Sequence, residues 1–289
     1  MTAKEAQIER AFVNLREGQL HLRRLAPAAG AIASADIPIL MLHASPTSSY
    51  FMQGLMRALR SAGLKSTMIA PDTLGNGDSA APAADRPDIA YFADSMQRTL
   101  DALGIDRVDV YGAHTGARIA CELSASCPAR VRRVVLDGII EYDDDMRQLV
   151  IDNYAPQVAP DDYGRQFIWA FNFVRDQALH FPWFMRDPAH RLAAAIPSAE
   201  VLHRATIDVL KAMDTYALPY IAAFEYRAYA RMPMIQAPVL LLKPDSELPV
   251  LNAAIDKAAG LLRDSHVAAI GGGERAKATA ITEFLLAAE

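Results

Sequence analysis

The segment Val108–Ala120, with the sequence VDVYGAHTGARIA, decides the fold. An apolar strand pattern runs to Gly112, and a helical pattern follows from Gly116, with His114 in the middle of the turn. A strand that passes into a helix through so short a turn needs glycines on both sides, because the two backbones approach closely there. The middle residue is expected to have a positive φ, which histidine tolerates better than most side chains.

The same alternation of short apolar runs and helical stretches extends outward from this segment. A hairpin is predicted at Ala11–Leu25 around Arg16-Glu17-Gly18, and the Ala-rich stretch Ala26–Ala35 is predicted to be a loop. Strands are predicted at Ile37–Leu42, Ser66–Ala70, Arg107–Tyr111, Val131–Leu136, Pro238–Leu242 and His266–Ile270. Helices are predicted at Ser49–Ala62, Tyr91–Leu103, Gly116–Ser126 and from the last strand to Ala287. This alternation indicates an α/β protein with a mostly parallel sheet and helices on both faces.

Residues 139–232 interrupt the alternation. They contain no convincing strand and predict several helices, such as Asp162–His180 and Ala199–Met213. We therefore expect an α/β core in two parts, residues 1–138 and 233–289, with a helical cap at 139–232 that covers the C-terminal edge of the sheet. Thirteen of the 22 aromatic residues lie between Tyr163 and Tyr229. Most should form the core of the cap, and about a third should line a pocket beneath it.

Composition limits the partners. The net charge is −5 with both signs scattered, so a nucleic-acid partner, which needs a basic patch, is not expected. No apolar run is long enough to span a membrane, and the first fifteen residues lack the pattern of a signal peptide. The two cysteines, Cys121 and Cys127, would face different sides of one helix, which favours a reducing, cytoplasmic location. The predicted partner is a small molecule, no cofactor is predicted, and a homodimer is left open.

Two further segments complete a family resemblance. His43-Ala44-Ser45-Pro46 follows one strand, and Asp72-x-x-Gly75-x-Gly77-x-Ser79 follows the next. Together with the turn at His114, in this order and spacing, they resemble the α/β-hydrolase superfamily over nearly the whole chain. The resemblance is to the helical-cap branch that contains haloalkane and haloacetate dehalogenases and small esterases. It implies a nucleophile elbow in which His114 replaces Ser, Cys or Asp, and an oxyanion hole formed by the N–H groups of Ser45 and Thr115.

The resemblance also gives places for an acid and a histidine. Glu247 stands in the acid position after the strand PVLLL, with Asp245 as the fallback, and Asp137 occupies the place that some relatives use instead. Glu274 stands where the family has its histidine, so the roles of a Ser-His-Asp triad are not filled. We expect the side chains of Glu274 and His114 to meet within hydrogen-bond reach at the pocket floor, directly or through one water. Alternatively, Glu274 favours the dipole of the last helix, and Glu247 is a solvated loop residue.

These residues favour an enzyme with His114 as general base, either for activation of water or for abstraction of a substrate proton. The alternatives are a cofactor-free lyase or isomerase and a non-catalytic binder, as the gibberellin receptor of this superfamily resembles a hydrolase without its histidine. Arg118 matches an arginine that holds the substrate carboxylate in haloacetate dehalogenases, although it could be an ordinary helix residue. His43 is a candidate substrate-binding residue that is more often structural. The spacing of His43, His114 and a glutamate is not diagnostic of a metal site, and no metal is predicted.

Overall fold

The computed structural model describes residues 7–28 and 37–287, which form one α/β architecture. Of the predicted loop at Ala26–Ala35, residues 29–36 lie outside the described part. The strands, in chain order, are β1 (Ile8–Leu15), β2 (Gly18–Leu25), β3 (Ile39–Leu42), β4 (Met68–Pro71), β5 (Val108–Ala113), β6 (Val131–Asp137), β7 (Val239–Pro244) and β8 (Ser265–Ile270). The predicted hairpin and every predicted strand are therefore confirmed, with ends that differ by up to three residues.

The described strands form a single sheet in the order β1-β2-β4-β3-β5-β6-β7-β8. The β1–β2 hairpin and the β2–β4 pair are antiparallel, whereas all pairs from β4 to β8 are parallel. Strand β5 lies near the centre of the parallel part, and all six of its residues are buried. Its apolar residues face both sides of the sheet, with Val110 in one apolar cluster and Tyr111 in the other. The carboxyl ends of β3, β5, β6 and β7 consequently meet at one edge, where the candidate residues lie.

Helices cover both faces of the sheet. They are α1 (Met52–Ser61), α2 (Ile89–Ala102), α3 (Thr115–Ser126), α4 (Asp144–Asn153), α5 (Arg165–Leu179), α6 (Ala199–Lys211), α7 (Ala217–Glu225), α8 (Ala228–Arg231), α9 (Pro249–Leu261) and α10 (Gly273–Leu286). One apolar cluster joins α2, α3 and α9 to the sheet, and a second joins α1 and α10 to its other face. Burial of these two clusters fixes the helices on the sheet.

The turn between β5 and α3 is tight. A Cβ on Gly112 would lie 2.2 Å from the carbonyl oxygen of Gly116, and a Cβ on Gly116 would lie 2.3 Å from that of Leu42. Both glycines are therefore required by close backbone contact, as the sequence predicts. They bring the first turn of α3 directly against the ends of β3 and β5.

Helices α4 to α8 occupy the chain between β6 and β7. Residues 139–232 are all described, and their one extended pairing is an isolated bridge between His180 and Arg191, so the expectation of a strand-free insertion is confirmed. The insertion has an apolar cluster of its own, which includes Phe173, Trp183 and Tyr216. Its treatment as a separate cap domain stays a prediction. Across the described residues, no helix combines the length and apolar character needed to cross a membrane.

Candidate active site

A cavity of about 430 Å³ lies between the carboxyl ends of the strands and the insertion. The core contributes Ser45, Thr115 and the loop that contains Glu247, while the insertion contributes ten residues, of which five are aromatic. Those aromatic residues are Tyr142, Tyr154, Phe181, Tyr220 and Phe224. The insertion therefore covers the edge of the sheet that carries His114, as the lid prediction requires. An aromatic wall with a few polar groups is typical of a small-molecule pocket.

His114 lies at the turn between β5 and α3, within this cavity. Its φ is 49°, and it is the one non-glycine residue with positive φ in the described part of the chain. Such a conformation costs free energy, and it persists at functional sites because the surrounding structure enforces it. The side chain is 44% exposed, and its Nε2 lies 3.4 Å from Oε2 of Glu247. The predicted positive φ is confirmed, and the imidazole is directed toward an acid.

Glu247 reaches His114 from the loop after β7. Its side chain is 10% exposed, and its Oε1 accepts a hydrogen bond of 2.7 Å from the N–H of Leu248. Gly138 makes the approach possible, because a Cβ there would lie 2.9 Å from Nδ1 of His114 and 3.0 Å from Oε2 of Glu247. Gly138 was not singled out from the sequence, although a glycine directly after a strand that ends in Asp137 was a usable signal.

The expectation of a direct contact between Glu274 and His114 is wrong. Within residues 7–28 and 37–287, no hydrogen bond or ion pair joins these side chains. The carboxylate of Glu274 instead lies against α1, where a Cβ on Gly54 would be 2.7 Å from Oε2. It lines a separate cavity of about 220 Å³, together with the fallback acid Asp245. Because Glu274 belongs to the first turn of α10, the start of that helix directs it away from the elbow.

Asp137 is also unavailable to the imidazole. Its Oδ2 accepts hydrogen bonds from Tyr111 Oη and Lys277 Nζ, each at 2.6 Å. The carboxylate is buried, and these two donors satisfy it on the side of the smaller cavity. Its main chain does contact the elbow, because the carbonyl oxygen of Asp137 accepts a hydrogen bond of 2.8 Å from the N–H of His114. Lys277, which the sequence did not indicate, therefore removes Asp137 from the candidate site.

Ser45 and Thr115 line the cavity beside His114. Neither backbone N–H has an acceptor in the part of the chain that the structure describes. Thr115 is the first residue of α3, whose opening N–H groups have no partner within the helix. The arrangement can present two N–H groups and a helix dipole to a bound oxygen.

His43 lies outside the cavity lining, contrary to the prediction that it binds substrate. It is 1% exposed, and its ring nitrogens are both engaged. Nδ1 lies 2.9 Å from the carbonyl oxygen of Ala44, and Nε2 accepts the N–H of Thr73 at 3.0 Å. Burial lowers its pKa, which favours the neutral ring. His43 thus connects the loops after β3 and β4, a structural role.

Arg118 lines the cavity from the first turns of α3 and is 5% exposed. Its Nη1 donates to the carbonyl oxygen of His114 at 3.1 Å, and its Nη2 donates to that of Ile140 at 2.9 Å. Tyr142, which the sequence did not single out, stands in the same wall. Arg118 is therefore a buried residue rather than a surface residue, and its hydrogen bond to the carbonyl oxygen of His114 stabilises the elbow.

The insertion meets the core at a buried carboxylate. Asp208 on α6 accepts a hydrogen bond of 2.8 Å from Ser48, in the segment that follows Ser45. Burial raises the pKa of Asp208 to about 6; the hydrogen bond from Ser48 lowers it, and the negative charge of Asp72 raises it. This contact fixes the insertion against the loop that carries Ser45.

A second cluster has a composition that could suit a metal ion. In the described residues, ligand atoms of His21, Asp72 and Asp78 lie within 4.8 Å of one another. Arg10 donates to His21 and to Asp78, and Lys211 donates to Asp78. These cations compensate the carboxylates, so the cluster is an ion-pair network in which a metal ion would meet repulsion.

Comparison with known proteins agrees with this architecture. The profile of the alpha/beta hydrolase fold family matches residues 37–276. A 2-hydroxymuconate semialdehyde hydrolase of Pseudomonas sp. strain CF600 is 33% identical over 106 residues, which are 37% of this chain and 38% of that protein. A haloalkane dehalogenase of Agrobacterium fabrum strain C58 is 29% identical over 158 residues, 52% of this chain and 48% of that protein.

The matched segments thus span less than half the length of these two relatives. Over nearly its whole length, the chain is similar in structure to epoxide hydrolase A from Mycobacterium thermoresistibile. The TM-score is 0.73 at 20% identity, with 96% of this chain and 98% of the other covered. A likeness at this level of identity concerns the fold.

Proposed function

The chain belongs to the alpha/beta hydrolase fold family, and from this premise we propose that it is an enzyme in which His114 is the general base. The observation that carries the proposal is the approach of His114 Nε2 to Glu247 Oε2, at 3.4 Å, inside the cavity. In this proposal the carboxylate of Glu247 orients the ring by accepting a hydrogen bond from Nε2–H, which leaves Nδ1 as the basic nitrogen. Catalytic hydrogen bonds are often long in unliganded sites and shorten when substrate binds.

The reaction that suits these groups best is hydrolysis of a small acyl compound. Nδ1 takes a proton from water, and the hydroxide attacks the carbonyl carbon. The N–H groups of Ser45 and Thr115 stabilise the negative charge on the carbonyl oxygen. The imidazolium then returns its proton to the leaving group as the acyl bond breaks. No acyl-enzyme forms in this reaction, because the nucleophile is the water molecule from which His114 takes a proton. A direct attack by His114 would instead make a labile acyl-imidazole intermediate.

Steady-state hydrolysis of a panel of small esters tests the proposal. The purified protein should turn over at least one ester without a burst, and His114→Ala should remove this activity. Intact-mass analysis during turnover should detect no covalent intermediate. Equal rates in the wild type and the His114→Ala variant would refute the role of His114. An acyl adduct on Ser45 or Thr115 would show that hydrolysis proceeds through a covalent intermediate rather than by direct attack of water.

A non-catalytic binder is the second candidate function. It is favoured by one observation, namely that no hydroxyl, thiol or carboxylate stands at position 114. In that case no ester or proton-exchange substrate is turned over, while a ligand of the cavity binds to the wild type. The lyase or isomerase alternative is tested with the same protein by following deuterium exchange at carbon acids by NMR.

A further inference from the structure

Strand β8 forms one edge of the sheet, and within the described residues it pairs with a neighbour on one side alone, β7. The carbonyl oxygens of Asp264 and Ile270 accept hydrogen bonds of 3.0 and 2.9 Å from that side. Because backbone groups alternate in direction along a strand, those of Ser265, Val267 and Ala269 point away from the sheet. An edge with such outward groups can pair with another strand.

The two edges of the sheet differ in their protection against such pairing. At the far edge, β1 carries Glu9 and Arg10, and charged side chains on an edge discourage the approach of a second strand. Strand β8 has the sequence SHVAAI, which contains no acidic residue, lysine, arginine or proline. Its Val267 is 46% exposed. The β8 edge is therefore the one suited to pairing with a further strand.

Helix α10 places a row of exposed side chains beside this edge. Arg275, Thr279 and Glu283 are spaced four residues apart, so they lie on one side of the helix. They border a groove whose other wall includes Ala269 and Ile270 of β8. Neither Arg275 nor Glu283 forms an ion pair within residues 7–28 and 37–287. Two opposite charges without partners therefore flank Thr279 along the edge.

Helix α10 runs antiparallel to β8. Its first residue, Gly273, follows soon after the strand ends, and Phe284 near its other end contacts His266, with ring centroids 5.6 Å apart. The middle of the helix, at Thr279, consequently lies at the level of Ala268 in the middle of the strand. The row of charges and the strand edge thus share one centre.

We propose that the β8 edge is a homodimer interface, in which two copies pair their β8 strands antiparallel about a two-fold axis near Ala268. The outward backbone groups of the two strands then hydrogen-bond, and one sheet continues through both copies. The same axis places Arg275 of each copy opposite Glu283 of the other, since both residues are four positions from Thr279. Two identical ion pairs form, one on either side of the axis. This self-complementary arrangement of charges selects a second copy as the partner.

Sedimentation velocity at concentrations from about 1 to 100 μM tests the interface. The 31.5-kDa chain should associate to a dimer over this range. Val267→Pro should make it monomeric, because proline removes an outward N–H donor and is tolerated on an edge strand. A wild type that stays monomeric throughout, or a dimer that persists in a folded Val267→Pro variant, would overturn the proposal. Circular dichroism checks that the variant is folded; if it is not, an exchange of charges decides.

That exchange tests the facing of the two helices. Arg275→Glu and Glu283→Arg should each weaken the dimer about tenfold or more, because each sets like charges opposite one another at both contacts. The variant that carries both changes should regain most of the affinity, since its ion pairs form again with reversed sign. Lys65→Glu, an exposed charge reversal in the loop before β4, is the matched control and should leave the dimer unchanged. A double variant that binds no more tightly than the single variants would overturn the interface.

Discussion

His114 Nε2 and Glu247 Oε2 are 3.4 Å apart, and the two side chains converge over Gly138, a residue without a Cβ. With Gly138, the pair brings together three loops, those that follow β5, β6 and β7. A Cβ at position 138 would lie 2.9 Å from the imidazole of His114 and 3.0 Å from Oε2 of Glu247, so these side chains would have to move apart. The geometry of the candidate base therefore depends on a residue that takes no part in chemistry.

We expect Glu247→Gln to lower turnover about 10- to 100-fold and His114→Ala to lower it by about 10²- to 10⁴-fold, the range of a general-base effect. Gln keeps the shape of the acid but cannot stabilise the imidazolium. Glu274→Gln is the matched control, because Glu274 lies in the other cavity and should leave the rate unchanged. Rate constants for hydrolysis of the same ester by the four proteins check this. A loss in Glu274→Gln equal to that in Glu247→Gln would contradict the assignment.

Gly138→Ala should both destabilise the protein and separate the pair. The φ of Gly138 is +77°, so an L-residue there is strained by about 1–2 kcal/mol, and its Cβ would also collide with the imidazole. Gly104→Ala is the control, because Gly104 has a φ of +65° and nothing within 4 Å of its added Cβ. Chemical denaturation should show a larger loss for position 138 than for position 104. Equal losses in stability and full activity would show that the close contact is unimportant.

The sequence predicts the sheet well, for reasons that are visible in particular residues. Gly112 and Gly116 stand where two backbone segments touch, so a larger residue is excluded at both positions. Such glycines can be recognised in the sequence from the strand and helix patterns beside them. Strands β5 and β6 are buried on both faces, so apolar residues occupy successive positions, such as Val110 and Tyr111 in β5 and Val134 and Val135 in β6. The predicted helix Asp162–His180 starts late, at Arg165, since Gly164 stands before its first turn with a left-handed φ of 69°.

The candidate site is only partly predictable. Position within the family pattern identifies both glutamates as candidates, but it does not say which way a loop side chain turns. Glu247 turns toward His114, and Glu274 turns toward Gly54, because the first lies in a loop and the second in a helical turn. Arg118 and Tyr142 line the same cavity although they are far apart in the sequence, a tertiary proximity without a local signal.

The buried acid Asp208 predicts a pH-dependent stability. Its pKa in the folded protein is about 6, above the ordinary 3.8, so the folded state binds the proton more tightly than the unfolded state. The associated stability is present below about pH 4 and is lost as the pH rises through 6. Asp208→Asn should therefore be more stable than the wild type by about 1–3 kcal/mol at pH 8 and nearly equal to it at pH 4.

Urea denaturation at both pH values measures this difference. The exposed Asp162→Asn variant removes the same charge from the insertion and should change the stability little at either pH. An Asp208→Asn variant that is less stable than the wild type at pH 8 would mean that the charged carboxylate holds the insertion in place.

Serine-directed reagents should not label the elbow. Position 114 offers neither hydroxyl nor thiol, and Thr115 beside it is buried. After treatment with a fluorophosphonate, intact-mass analysis should show the unmodified protein, with an ordinary serine esterase labelled in parallel as the positive control. Stoichiometric labelling at any residue from Gly112 to Gly116 would contradict the proposed mechanism.

The ion pair between Lys277 and Asp137 also bears on how many residues separate this site from a Ser-His-Asp triad. A single exchange of His114 for serine would create a hydroxyl with no histidine beside it, since Glu274 stands where the resemblance places that ring and faces Gly54. Removing Lys277 alone would leave the buried carboxylate of Asp137 without its cation. A nucleophilic triad on this backbone therefore requires exchanges at positions 114 and 274 together, and one that uses Asp137 also requires a replacement for the charge of Lys277.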